Sequence, residues 1–445
     1  MKILRLIFIS FLALTLIAGL LAVIESTYAA SNSTLTVNSV VDAVDENPGD
    51  GICATAASEC TLRAAIQEAN AFPGIDTIYL PSGTYTRTIG GIGGDDAVGD
   101  LNISDNVTII GEARTSTIID ANMLDRVFMV GNTATFTLSK VTIVQGATPG
   151  IGGGIYIESG AKATLDDVAV LYNEGGGGGI HARGDLTVTN SLIAENISPS
   201  GNSGGGIVGF GATIRIVNTT IRDNVTDSRG AGIFIQGPGS AELIGVTISG
   251  NESGGEGGGI TNLGMNLTLV NVTVSGNQSE WGGAGIDNHG ATTIMNSTIV
   301  DNQSINSVGG LYNNPINNGS IAVKNTIISN NSGGNCGGTL ATILSNGYNI
   351  DSGTTCSFVN VGDRSNTDPI LGVLQDNGGK TFTHEPSTGS LAIDSGTNDG
   401  CPATDQRGYK RPADGTDDGT MVCDIGSVEV EGPIPIYIYL PLVIK

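Results

Sequence analysis

Four carboxylates crowd one short loop. The stretch DAVDENPGDG (42–51) carries Asp42, Asp45, Glu46 and Asp50 and closes on glycines. Oxygen ligands on a flexible loop suit Ca²⁺, so Asp42, Asp45 and Asp50 are a candidate calcium site. A solvated acidic turn explains the same residues, and no cofactor other than calcium is expected. The cysteines, Cys53, Cys60, Cys336, Cys356, Cys401 and Cys423, fall into three close pairs, each far from the next. Local bridges 53–60, 336–356 and 401–423 are the economical reading in an exported chain. Zinc is the rival for these thiols, but no C-x-x-C spacing occurs and the chain has only three histidines, His181, His289 and His384. None of these has a second histidine at a ligand spacing, which points to turn or surface roles.

The elements that must position these groups are set by composition. The chain has 445 residues with 43 acidic against 19 basic side chains, a net charge of −24. Such a surface repels phosphate backbones and anionic membranes, so nucleic-acid partners are excluded. With 68 glycines but 39% hydrophobic residues, an ordered, turn-rich β protein fits better than a disordered one. Residues 1–30 carry Lys2, Arg5, an apolar run to Ile24 and small residues before Ser31. That is the layout of a secretory signal peptide cleaved after Ala29, with an uncleaved anchor as the alternative. The membrane enters only through this segment, and the remainder is expected to be extracellular or at the cell surface.

A Gly-Gly-x-Ile element then recurs, ending at Ile155, Ile180, Ile207, Ile233, Ile260, Ile286 and, as VGGL, at Leu311. The spacings are 25, 27, 26, 27, 26 and 25 residues. Each period also holds an element such as NSLIAEN or NTTIRDN, and between the two a short β-rich piece such as TIRIV (213–217). One period therefore contains three short strands separated by turns. A unit this small cannot bury its own apolar face, so neighbours must stack. The expected architecture is all-β, a right-handed single-stranded parallel β-helix with coils ~4.8 Å apart.

In this reading glycine turns a tight corner, the next Ile points inward, and the recurrent Asn190, Asn218, Asn271, Asn296 and Asn325 form a stacked amide ladder. A phosphate cradle is excluded because each glycine run precedes a strand, whereas a P-loop opens a helix. A linker is excluded by the regular spacing.

An open coil end would template aggregation unless covered. CTLRAAIQEANA (60–71) is the one convincing helix of the mature chain, with Thr61 as its cap and Leu62, Ile66 and Ala69 on one face. The surrounding VDAVDENPGDGICA…CTLRAAIQEANAFPGIDTIYLPSGTY resembles the CSLREA domain. Its core here is Cys60-Thr61-Leu62-Arg63-Ala64-Ala65, a departure at three of six positions. DPILGVLQDNGGKTFTHEPSTGSLAIDSGTNDGCPATDQRGYKRPADG…CDIGSVEV (368–430) resembles the choice-of-anchor Q domain, and the repeats are similar to those of polymorphic outer-membrane-type surface proteins.

The resemblance implies a bacterial β-helix of the pectin lyase fold displayed outside the cell. The organisation is then signal peptide 1–30, cap and first coils 31–99, repeats 100–335, a C-terminal region 336–431 and an apolar tail 432–445. The tail's 14 residues and three prolines do not make a membrane helix. A sorting signal and a final edge strand both fit it.

β-Helices of this class include enzymes that cleave polysaccharides, and an enzyme needs converging acids. Asp223 and Asp301 precede the closing Asn of their periods, but intervening periods carry Gly250 and Gly276. Asp166 and Asp167 sit side by side on opposite faces of a strand. With no cluster visible and a single Trp, Trp281, the expectation is a non-catalytic surface or secreted protein. Adhesion or envelope and matrix structure would be its role, with extracellular polysaccharide or a neighbouring cell surface as partner. A carbohydrate-active enzyme or polysaccharide binder is the alternative.

Overall fold

The computed structural model describes residues 32–91, 96–199, 201–314, 319–339 and 343–432. The leader expected over 1–30 and all but the first residue of the apolar tail lie outside the described residues. Within them the chain winds as a parallel β-helix. One coil runs Ile180–Ala182, Asp185–Thr189, Leu192–Ala194 and Ile197–Ser198, then returns at Ile207–Phe210. These positions belong to four parallel sheets, here I to IV in that order, of ten, twelve, twelve and seven strands. The period thus holds four strands rather than three. The fourth, over Ile197–Ser198, Val225–Thr226 and Glu252–Glu256, turns Ser198, Thr226 and Ser253 inward in place of an apolar residue, so the sequence pattern reads it as a turn.

The inward column is in register. Ile155 pairs with Ile180, and Ile180, Ile207, Ile233, Ile260, Ile286 and Leu311 follow in turn. All are at most 1% exposed. Two glycine properties make the corner. Gly177 takes φ 75°, where a side chain is strained. Gly179 lies so close to the next coil that a Cβ would sit 2.6 Å from the Gly206 carbonyl oxygen.

The asparagine ladder is real but runs through other residues than expected. Asn190, Asn218, Asn271, Asn296 and Asn325 have φ between 46° and 54°. They serve as left-handed corner residues, a conformation that Asn tolerates better than most. The ladder is built from the closing asparagines. Asn173 donates to Asn196, then Asn196 to Asn224, Asn224 to Asn251, Asn251 to Asn277, Asn277 to Asn302 and Asn302 to Asn331, Nδ2 to Oδ1, at 2.9–3.0 Å. Their second amide protons reach backbone carbonyls such as Ile193 O and Ile221 O. Buried amides satisfied in this way fix the coil register.

Helix α1 (Leu62–Ala71) covers the N-terminal end, and the Thr61 hydroxyl accepts from Ala64 N. Disulfides join Cys53 to Cys60, Cys336 to Cys356 and Cys401 to Cys423. The ladders continue past residue 335 to Arg364–Ser365. From there the chain leaves the coil and folds back, with only isolated bridges, across the outer face of sheet III. Thr247 donates to Phe382 O, Ser275 bonds His384 Nε2, and Asn325 donates to Thr397 O. This wrap has a small apolar cluster of its own, with Ile327, Ile350, Ala392 and Ile425.

Candidate functional site

The residue after each core isoleucine points outward from sheet I, because strand side chains alternate. Down the coils that position reads Tyr156, His181, Val208, Phe234, Thr261, Asp287 and Tyr312. Two residues further on stand Arg183, Phe210 and His289. Together they place two kinds of chemistry along one face.

The first is aromatic. The rings of Tyr156 and His181 are 5.7 Å apart, those of His181 and Phe210 5.4 Å and near-parallel, and those of Phe210 and Phe234 5.9 Å. Arg126 lies 5.4 Å over the Tyr156 ring. His181 and Phe234 are buried and hold Phe210 between them, while Phe210 is 37% exposed and Tyr156 partly so. Burial drives the His181 imidazole down to about 4, against a weaker opposing hydrogen bond to the Gly176 carbonyl. The ring is therefore neutral at neutral pH and stacks beneath Phe210 as an apolar support.

The second is polar. His289 Nε2 lies 2.8 Å from Asp287 Oδ2, and Glu256 of sheet IV completes a group whose ligand-type atoms lie within 4.8 Å of one another. Trp281, 52% exposed, sits beside Glu256 in sheet IV. This cluster escapes a search for acids along the closing strands, since its members come from two different sheets. The repeat register, read one residue past each core isoleucine, does point to Asp287 and the aromatic row.

The acidic loop places its carboxylates separately. Asp42 pairs with Arg63 at 2.7 Å and accepts from Thr88 N and Ile89 N at 2.8 Å. Despite desolvation, the Arg63 contact and these amides hold its carboxyl below the usual range. Asp45 accepts from Asn47 N and Ala54 N, and Asp50 from Ile52 N. Asp42, Asp45 and Asp50 are not brought together, and each works as a turn or helix clamp. Asp167, Asp223 and Asp301 have φ of 55°, 54° and 59°, as Gly250 and Gly276 have 63° and 64°. The alternation of Asp with Gly there follows the left-handed corner and not a shared chemistry.

Against this geometry the comparisons are narrow. No family model and no curated protein matches the chain. Among solved structures it is similar to the crystal structure of pectate lyase Pel9A, with a TM-score of 0.54 at 15% identity over 91% of this chain and 98% of that one. The fold is pectate-lyase-like. At that identity the likeness extends to architecture alone, an all-β right-handed parallel β-helix. The CSLREA and choice-of-anchor Q resemblances find no matching family model.

A hollow of about 1210 Å³ lies elsewhere, in the wrap beside Gln375, Glu385, Thr388 and Asp417. Its Glu385 is paired with Arg407 at 2.9 Å, and no metal-type group gathers there among the described residues. Size alone does not make it the site.

Proposed function

We propose that the protein is an exported, non-catalytic β-helix that holds an extended glycan along the outer face of sheet I. The observation that carries this is the open Phe210 ring and the half-buried Tyr156 ring, held in one row by the buried rings of His181 and Phe234 at centroid spacings of 5.4–5.9 Å. A pyranose presents a face of C–H groups that packs on an aromatic ring, and its rim of hydroxyls takes polar partners. Tyr156 and Phe210 stand two coils apart, about 10 Å at a coil rise of ~4.8 Å, near the length of two sugars in an extended chain. Arg183, exposed on the same face, adds a donor suited to an acidic sugar. The leader over 1–30, the three disulfides and the CSLREA-like and choice-of-anchor Q-like ends support export and surface display.

A polysaccharide lyase or hydrolase is the second reading, favoured by the Asp287–His289 pair. It is weaker because those side chains are only 0% and 8% exposed, so a scissile bond has poor access. Affinity electrophoresis against polygalacturonate, alginate and xylan tests both. The binder reading expects retardation in at least one gel with no soluble product. Release of unsaturated or reducing ends would replace it with the enzyme.

A further inference from the structure

We infer that Glu256, Asp287 and His289 form a binding site for a divalent transition metal, Zn²⁺ by its donor set. Asp287 is fully buried, and its Oδ1 has no hydrogen-bond partner. Its Oδ2 has only the His289 imidazole, at 2.8 Å. A carboxylate taken out of water with one oxygen unmatched is costly unless a cation joins it. Glu256 Oε2 is likewise buried without a hydrogen bond, although Arg229 Nε stands 2.9 Å away as an unaligned ion pair.

Gly282 keeps room open beside the Asp287 carboxylate and the root of the Glu256 side chain. A Cβ there would lie 2.8 Å from Asp287 Oδ1 and 3.2 Å from Glu256 Cβ. One imidazole nitrogen with two carboxylates is a borderline-soft set that suits zinc, whereas calcium takes oxygen ligands alone. The ligand atoms lie within 4.8 Å of one another, and Glu256, whose side chain is 25% exposed, would exchange its Arg229 contact for the ion as it closes the remaining gap. The bound ion would clip sheet I to sheet IV two coils beyond Phe234. This inference stands whether or not a glycan binds.

The test is calorimetric titration of ZnCl₂ into the EDTA-treated, dialysed full chain, with Glu256→Gln, His289→Gln and His384→Gln beside it. One-to-one binding is expected, weakened at least tenfold in the first two variants and unchanged in His384→Gln. Zinc should also raise the melting temperature of the wild type, and of Glu256→Gln by less. Circular dichroism confirms that each variant is folded. Absence of a one-to-one site in the wild type overturns the inference. So does undiminished binding in both Glu256→Gln and His289→Gln, or an equal loss in His384→Gln.

Discussion

The outer faces of sheets I and III are built by the same coils and put to opposite uses. On sheet III the outward positions Thr247, Thr273, Ser275, Thr298 and Ser329 are small, hydroxylated and buried, because residues 366–432 lie over them. Gln406 donates to Thr247 at 2.9 Å, and Thr273 donates back to Gln406 at 2.7 Å. On sheet I the equivalent positions include the rings of Tyr156, His181, Phe234 and Tyr312, and Phe210 beside them is 37% exposed. Small hydroxyls let a backbone approach and hydrogen-bond, whereas rings keep a backbone away and offer apolar area. The chain covers one face with its own wrap and leaves Phe210 exposed on the other.

The two faces also differ in how they carry charge. The wrap buries ions. Arg411 and Glu429 approach to 3.4 Å with both side chains fully buried, and Asp424 is pushed up to about 7 by burial and then by the Glu429 charge. Sheet I buries the neutral His181 imidazole as well as the Asp287 carboxylate. The regions should differ at neutral to alkaline pH, where Asp424 ionises in the wrap, while on acidification the buried His384 weakens the wrap as His181 weakens sheet I.

The largest effect expected is at the column both faces share. Ile233→Asp places an unpaired charge in the core and should cost at least about 4 kcal/mol, melting both faces together in chemical denaturation. If only one region unfolds, the two are not one cooperative unit.

The pH contrast comes next. His181 titrates near 6.5 when unfolded and near about 4 when folded, so its contribution is present above pH 6.5 and lost as pH falls towards 4. The loss is on the order of 3 kcal/mol, and His181→Phe should remove it. Asp424 has its folded pKa raised, so its contribution is present below pH 3.8 and lost as pH rises through about 7. Limited proteolysis of the wrap should therefore quicken from pH 6 to 8, while the sheet I coils become labile only on acidification. Identical pH dependence in both regions would erase the distinction.

A smaller pair of variants separates the two asparagine classes. Asn224→Gly leaves the amides of Asn196 and Asn251 without a shared partner and should cost about 2 kcal/mol. Asn218→Gly keeps the left-handed corner and should stay within about 0.5 kcal/mol of wild type. Equal costs in thermal melts would mean the corner asparagines carry the ladder after all.

These residues also show what was legible in the sequence. The fold could be read from Ile180, Ile207 and Ile233, since burial forces the same residue type into every coil at a fixed interval. Two asparagines per period are equally visible, but one is chosen for backbone conformation and one for its amide, and residue type alone does not separate them. The candidate site was the hardest to see. Asp42, Asp45 and Asp50 are close in sequence yet turn away from one another, whereas Glu256 and His289 are 33 positions apart and meet because sheet IV folds beside sheet I. Tyr156, His181 and Phe210 differ in type, so a search for identical residues passes over them.

The central claim is that sheet I, and not the covered face of sheet III, is where an extended glycan lies. Hydrogen exchange of the full chain with and without a saturating polysaccharide from the binding panel measures this directly. Added protection should concentrate at 155–158, 180–183, 207–210 and 233–236, and Phe210→Ala should weaken binding at least about fivefold. Protection confined to sheet II or to residues 366–432, with Phe210→Ala binding as wild type, would contradict the account.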